Sequence, residues 1–153
     1  MTTNPTPAAR AVELFARGFN CSQAVFAAFA PSLGLAEETA LRISSGFGGG
    51  VGRMGGLCGA ASGAIMALGL AEGNVDPADK AAKDRGYELV RTFAGRFRDR
   101  NGSLSCRDLL GLDLSTEEGR ALAAGRNTHT NVCPKFVRDA AELLAALLEE
   151  VHP

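Results

Sequence analysis

From Gly46 to Gly59 the chain reads GFGGGVGRMGGLCG, and eight of these fourteen residues are glycine. A glycine in a helix interior costs about 1 kcal/mol relative to alanine. The stretch therefore reads as a loop that gives way to a helix from about Cys58 to Leu70. Gly55, Gly59 and Gly63 recur every four residues. On a helix Gly59 and Gly63 share a face stripped of side chains, which lets another helix or a bound group come close to the backbone.

Two other readings of this segment are weaker. Gly50-Val51-Gly52-Arg53-Met54-Gly55 matches G-x-G-x-x-G, but that fingerprint requires a preceding strand, and AEETALRISSG reads as helix. The lysine and hydroxyl of a phosphate-binding loop are absent as well. Backbone N–H groups with Arg53 still suit a small anion. Residues 54–71 are 18 successive uncharged positions, the lower limit for a membrane span. Their Gly, Ala and Ser content makes a buried helix the expectation.

Helical periodicity governs the rest of the chain. Residues 7–17 place Ala8, Val12, Leu14 and Phe15 on or near one stripe and stop at Gly18. Residues 21–30 carry Val25, Phe26 and Phe29 and end at Pro31. Residues 36–45 open on Glu37 and Glu38. Asp76-Pro77 reads as the cap and first residue of a helix running to about Arg100, with Tyr87, Leu89, Val90 and Phe93 facing the core. Arg91, Arg96, Arg98 and Arg100 gather at its C-terminal end, where cations suit the helix dipole. A turn of helix is expected over Ser105–Leu110. Ser115 with Glu118 has the spacing of a capping box for residues 116–124. The clearest pattern is 134–151, with Phe136, Val137, Ala140, Leu143, Leu144 and Leu147. The expectation is an all-α, single-domain bundle of about six to seven helices over residues 1–153, core about 8–150, with the glycine-rich loop preceding a central helix.

A net charge of −1 gives no reason to expect a nucleic-acid partner. The first nineteen residues have no apolar core of a secretory signal, so a cytoplasmic protein is expected. Four cysteines in a reducing compartment point to buried, metal-bound or redox-active thiols rather than a disulfide framework. Cys21 follows the potential cap Asn20, Cys58 follows the glycine loop, Cys106 follows Ser105, and Cys133 precedes Pro134 as an expected N-cap. Each stands at a predicted helix start, where the dipole favours thiolate. No C-x-x-C pair occurs, and the separations are 37, 48 and 27 residues, so any shared site is assembled by the fold. His129, four residues before Cys133, is a candidate fifth ligand or proton acceptor, and more commonly such a histidine is a solvated loop residue. His152, at the chain end, carries no expected role.

Asn20-Cys21-Ser22-Gln23-Ala24-Val25, the Gly46–Gly56 run, Cys58-Gly59-Ala60-Ala61-Ser62-Gly63, Cys106, and Cys133 before Phe136-Val137 resemble the C_GCAxxG_C_C family over about residues 10 to 147. The resemblance implies a small, helical, redox-linked protein, often encoded near transporter genes. A similar domain in a haem protein with an iron–sulfur centre suggests a cluster role for Cys21, Cys58, Cys106 and Cys133. The absence of C-x-x-C-H argues against covalent haem.

The first expectation is thus an iron–sulfur cluster on these four thiolates, the [2Fe–2S] form preferred, with Gly59 and Gly63 leaving it room. Backbone N–H groups of the segment containing Gly49, Gly50, Gly52, Gly55 and Gly56 would bond its sulfurs. The second is metal-free thiol–disulfide exchange, with Cys58 attacking because the glycine loop leaves it accessible. The third is a non-enzymatic module binding zinc or a transporter's cytoplasmic face. The redox partner is left open, as is a homodimer.

Overall fold

The computed structural model describes residues 3–153; Met1 and Thr2, which open the expected single domain, lie outside them. Among the described residues the chain forms an all-α bundle of nine helices. These are α1 (Pro7–Ala16), α2 (Cys21–Phe29), α3 (Glu37–Ser44), α4 (Gly59–Glu72), α5 (Lys80–Asn101), α6 (Cys106–Leu110), α7 (Glu117–Gly125), α8 (Thr128–Asn131) and α9 (Cys133–Val151). The count exceeds six to seven because α6 and α8 are single-turn pieces of five and four residues.

Local chemistry sets most of the boundaries. Asn20 opens α2 with a reciprocal capping box: its side chain accepts from the Gln23 N–H at 2.9 Å, and the Gln23 side chain accepts from the Asn20 N–H at 3.1 Å. Left-handed Gly102 closes α5. Two expected starts move. Helix α5 begins after Asp79, whose side chain accepts from the Ala82 N–H at 3.0 Å. Asp76 is occupied one turn earlier by the Ala78 N–H at 2.9 Å, which makes Asp76-Pro77 a turn. Helix α7 is capped by Thr116, which accepts from the Gly119 N–H at 2.9 Å. Ser115 is turned back onto Asp113.

Helices α2 and α4 form the central pair, with α1, α5 and α9 packed around them. Phe93 and Phe97 of α5, Leu14 of α1, Val25 of α2, and Val137 and Leu144 of α9 are fully buried. Tyr87, expected in the core, is 57% exposed and lies under the Lys83 ammonium. The arginines that close α5 reach across to α9: Arg96 pairs with Glu150 at 2.9 Å and Arg100 with Glu142 at 3.0 Å. His152 bonds the Glu72 carboxylate and ties the end of α9 to the end of α4.

The small face of α4 lies against α2. A Cβ at Gly63 would stand 2.6 Å from the Ser22 carbonyl oxygen. The neighbouring Ser62 hydroxyl donates to the Gly59 carbonyl at 2.9 Å and meets the Ser22 hydroxyl at 3.3 Å. Of the two partners the sequence offered for this face, Gly63 meets a helix. No helix among the described residues is long and apolar enough to cross a membrane, and the uncharged run 54–71 is divided between loop and mostly buried helix.

Candidate functional site

Each cysteine is delivered by its own helix start. Cys21 is the first residue of α2, behind the Asn20 cap. That cap is tethered: the Asn20 side-chain amide donates to the Ser45 carbonyl at 2.9 Å, and the Gln23 amide donates to the Leu41 carbonyl at 3.1 Å. Cys58 is the N-cap of α4, and Cys106 opens α6. A short antiparallel bridge, Leu57 with Ser105, sets these two side by side. The Cys58 N–H donates to the Leu104 carbonyl and the Cys106 N–H to the Gly56 carbonyl, both at 2.7 Å. Cys133 is the first residue of α9, with Val132 in the cap position expected for Cys133 itself.

The glycine loop packs beneath this array. Gly49, Gly50, Val51, Gly52 and Arg53 all have positive φ, from 56° to 70°, a left-handed turn that costs an L-residue about 1–2 kcal/mol. Val51 and Arg53 bear that cost without being glycine. Gly50 is buried, and a Cβ there would meet the Gly56 nitrogen at 2.6 Å and the Cys106 Cβ at 2.7 Å. Glycine at this position lets the loop close onto Cys106.

The four thiols line one cavity of about 630 Å³. Gly49, Gly52 and Gly59 also lie on its wall. Gly50, Gly55, Gly56 and Gly63 are placed outside the wall: Gly50 and Gly56 pack on each other, Gly55 sits under the Arg107 side chain, and Gly63 faces α2. His129 is on the wall, exposed and stacked on Phe15 with ring centroids 4.2 Å apart. The sequence reading missed the apolar part of the wall, formed by Leu109, Leu110, Leu114, Ala123 and Phe136. Its one local signal was the leucine pair just before Gly111.

All four cysteines are unpaired thiols, and their environments differ. The Cys21 and Cys133 thiols are paired by a hydrogen bond. That bond pushes Cys21 well up, with burial and the other thiols adding to it. The same bond holds Cys133 below the usual thiol range. Burial pushes Cys58 up, partly opposed by the Ala61 and Ala60 N–H groups at the start of α4. Burial, then the neighbouring Cys58 and Cys133, push Cys106 up to about 12. Helix starts were expected to favour thiolate at all four positions, but the bond to Cys133 pushes Cys21 up, and desolvation is the larger effect at Cys58 and Cys106. Cys58 is also only 4% exposed, not the open thiol that its place after a glycine loop suggested.

The wall carries no Asp or Glu among the described residues, while Arg53 and the first residues of α2, α4 and α9 face in. The positive ends of three helix dipoles therefore converge on the sulfurs, a setting that favours negative charge. No three His, Cys, Asp or Glu side chains among the described residues stand close enough to hold a single metal ion. A polynuclear group asks for something different: four soft donors spread around a space large enough for bridging atoms. The four thiols line one such space.

The fold and site define a small all-helical protein with four thiols around one cavity. A sequence model of the family described as "Putative redox-active protein (C_GCAxxG_C_C)" matches residues 19–147. The chain belongs to this redox-active cysteine family. Comparison with curated proteins and with solved structures found no match.

Proposed function

We propose that the four-cysteine cavity is the working centre of a redox protein and that Cys21, Cys58, Cys106 and Cys133 hold an iron–sulfur cluster there. The observation that carries this reading is the convergence of four thiols, from four separate helix starts, on one carboxylate-free cavity. When bound, the cluster would supply one-electron transfer. The protein's own contribution is electrostatic and steric. Dipoles of α2, α4 and α9 offset the negative charge of four thiolates, and the surrounding apolar residues limit water. Binding of iron would displace the thiol protons, which the buried, protonated Cys21, Cys58 and Cys106 must release. A reducing, cytoplasmic setting suits these thiols, and the electron donor or acceptor is a second protein, soluble or part of a transporter.

Anaerobic reconstitution with ferrous iron and sulfide tests this. The wild type is expected to take up both and develop visible absorbance, and each single Cys→Ser variant to lose most of it. Full colour in all four variants would sink the proposal.

A second reading rests on the hydrogen-bonded Cys21–Cys133 pair. In metal-free protein the Cys133 thiolate would attack one sulfur of a disulfide substrate, and the other sulfur would leave as thiolate. Cys21 would then lose its proton to solvent and displace the second thiolate, leaving a Cys21–Cys133 disulfide. Two electrons pass to the substrate, and a dithiol reductant resets the pair. This moves the nucleophile from Cys58, favoured by the sequence, to Cys133.

A further inference from the structure

The cavity is larger than four thiols and a compact inorganic group require. About 630 Å³ equals the share of roughly twenty waters and falls in the range of small-molecule sites, about 300–1,000 Å³. Part of its wall is apolar: Leu109 and Leu110 from α6, Leu114 from the following loop, Ala123 from α7 and Phe136 from α9. Arg53, exposed on the same wall, enters none of the ion pairs found among the described residues. It is held in a left-handed conformation, φ 65°, that few arginines adopt.

We infer that the cavity binds a small organic carboxylate with a hydrocarbon body. The body lies along the leucines and Phe136, and the carboxylate meets the Arg53 guanidinium. The wall offers that anion a permanent cation and no competing carboxylate. The inference stands on the shape and lining of the cavity, whichever group the thiols hold. It makes the protein one that brings a small molecule up to a thiol centre rather than a carrier of electrons alone.

Calorimetric titration of the full-length reduced protein with benzoate, and in parallel with benzylamine, tests it. A charge-assisted bond of the usual strength makes benzoate about tenfold or more the tighter ligand. Arg53→Gln is expected to erase that preference, and Ala123→Phe, which fills the apolar side, to weaken benzoate about tenfold. Leu114→Glu is the second wall variant, expected to reject benzoate without filling the space. Equal affinity for the two probes, no heat with benzoate at millimolar concentration, or benzoate binding unchanged in Arg53→Gln and in the folded wall variants would overturn the inference. Iron and sulfide analysis of the same samples decides the cluster reading separately, so failure of one is distinguishable from failure of the other.

Discussion

Adding one methyl group at Gly63 tests the packing that positions the site. The new Cβ would stand 2.6 Å from the Ser22 carbonyl oxygen and 3.2 Å from both the Phe26 nitrogen and the Ser22 Cα. Ordinary contact begins near 3.4 Å, so α4 must move about 0.8 Å from α2. The obstructing atoms are backbone and cannot swing aside. Overpacking of this kind costs about 1–3 kcal/mol and sometimes more, while alanine returns about 1 kcal/mol of helix propensity. For Gly63→Ala we expect a net loss of about 1 kcal/mol, a fall in Tm of about 2–4 °C for a chain of this size. Gly69→Ala is the matched control: it lies in the same helix, and its Cβ would meet nothing within 4 Å. There propensity acts alone, and a gain of about 0.5–1 kcal/mol is expected. Urea unfolding followed by circular dichroism reads both. A Gly63→Ala protein as stable as wild type would refute the close approach of α2 and α4, and so would an equal loss at Gly69.

The remaining predictions concern the thiols and the loop. Under argon at neutral pH, iodoacetamide should modify Cys133 ahead of the other three thiols, as peptide mapping by mass spectrometry would show; Cys106 reacting first would contradict the assigned environments. Because folding raises Cys106 to about 12 from an ordinary value near 9, its contribution to stability is intact below pH 9. It is lost as the pH climbs toward 12, by up to about 1.4 kcal/mol per pH unit. Metal-free Cys106→Ser should therefore lose less stability than wild type between pH 8 and about 10 in reductant; identical slopes would dismiss the effect. Arg53→Gly relieves an exposed left-handed residue and should stabilise the fold by about 1 kcal/mol in thermal unfolding, with no gain arguing against strain. Asn20→Ala removes both the cap of α2 and the tether to Ser45, an expected loss of about 1–2 kcal/mol, whereas a neutral result would mean that α2 is held by packing alone.

What was legible in the sequence was local. Asn20 with Gln23, Ser105 before Cys106, and Pro134 after Cys133 are short-range signals, and they placed the cysteines within one position of a helix start. What depended on distant partners was not legible. The Leu57–Ser105 bridge that sets Cys58 beside Cys106 joins residues 48 apart. The protonation bias of Cys58 and Cys106 follows from burial, and that of Cys21 and Cys133 from the bond between them, so a shared helix-start position led to one expectation where the structure has two. The left-handed conformations of Val51 and Arg53 run against the preference of both residues, so neither residue's identity announced them. Even local rules failed where two candidates competed: Asp79 displaced Asp76 and Thr116 displaced Ser115, each by satisfying the helix N–H groups one turn or one residue later.

The central claim, a cluster on four converging thiols, is tested most directly by purifying the protein anaerobically and measuring iron, acid-labile sulfide and free thiols per chain. The account predicts iron and sulfide in equal amounts, with all four thiols blocked until the iron is chelated. Iron-free protein with four titratable thiols, which still takes up no iron when iron and sulfide are supplied, would contradict it.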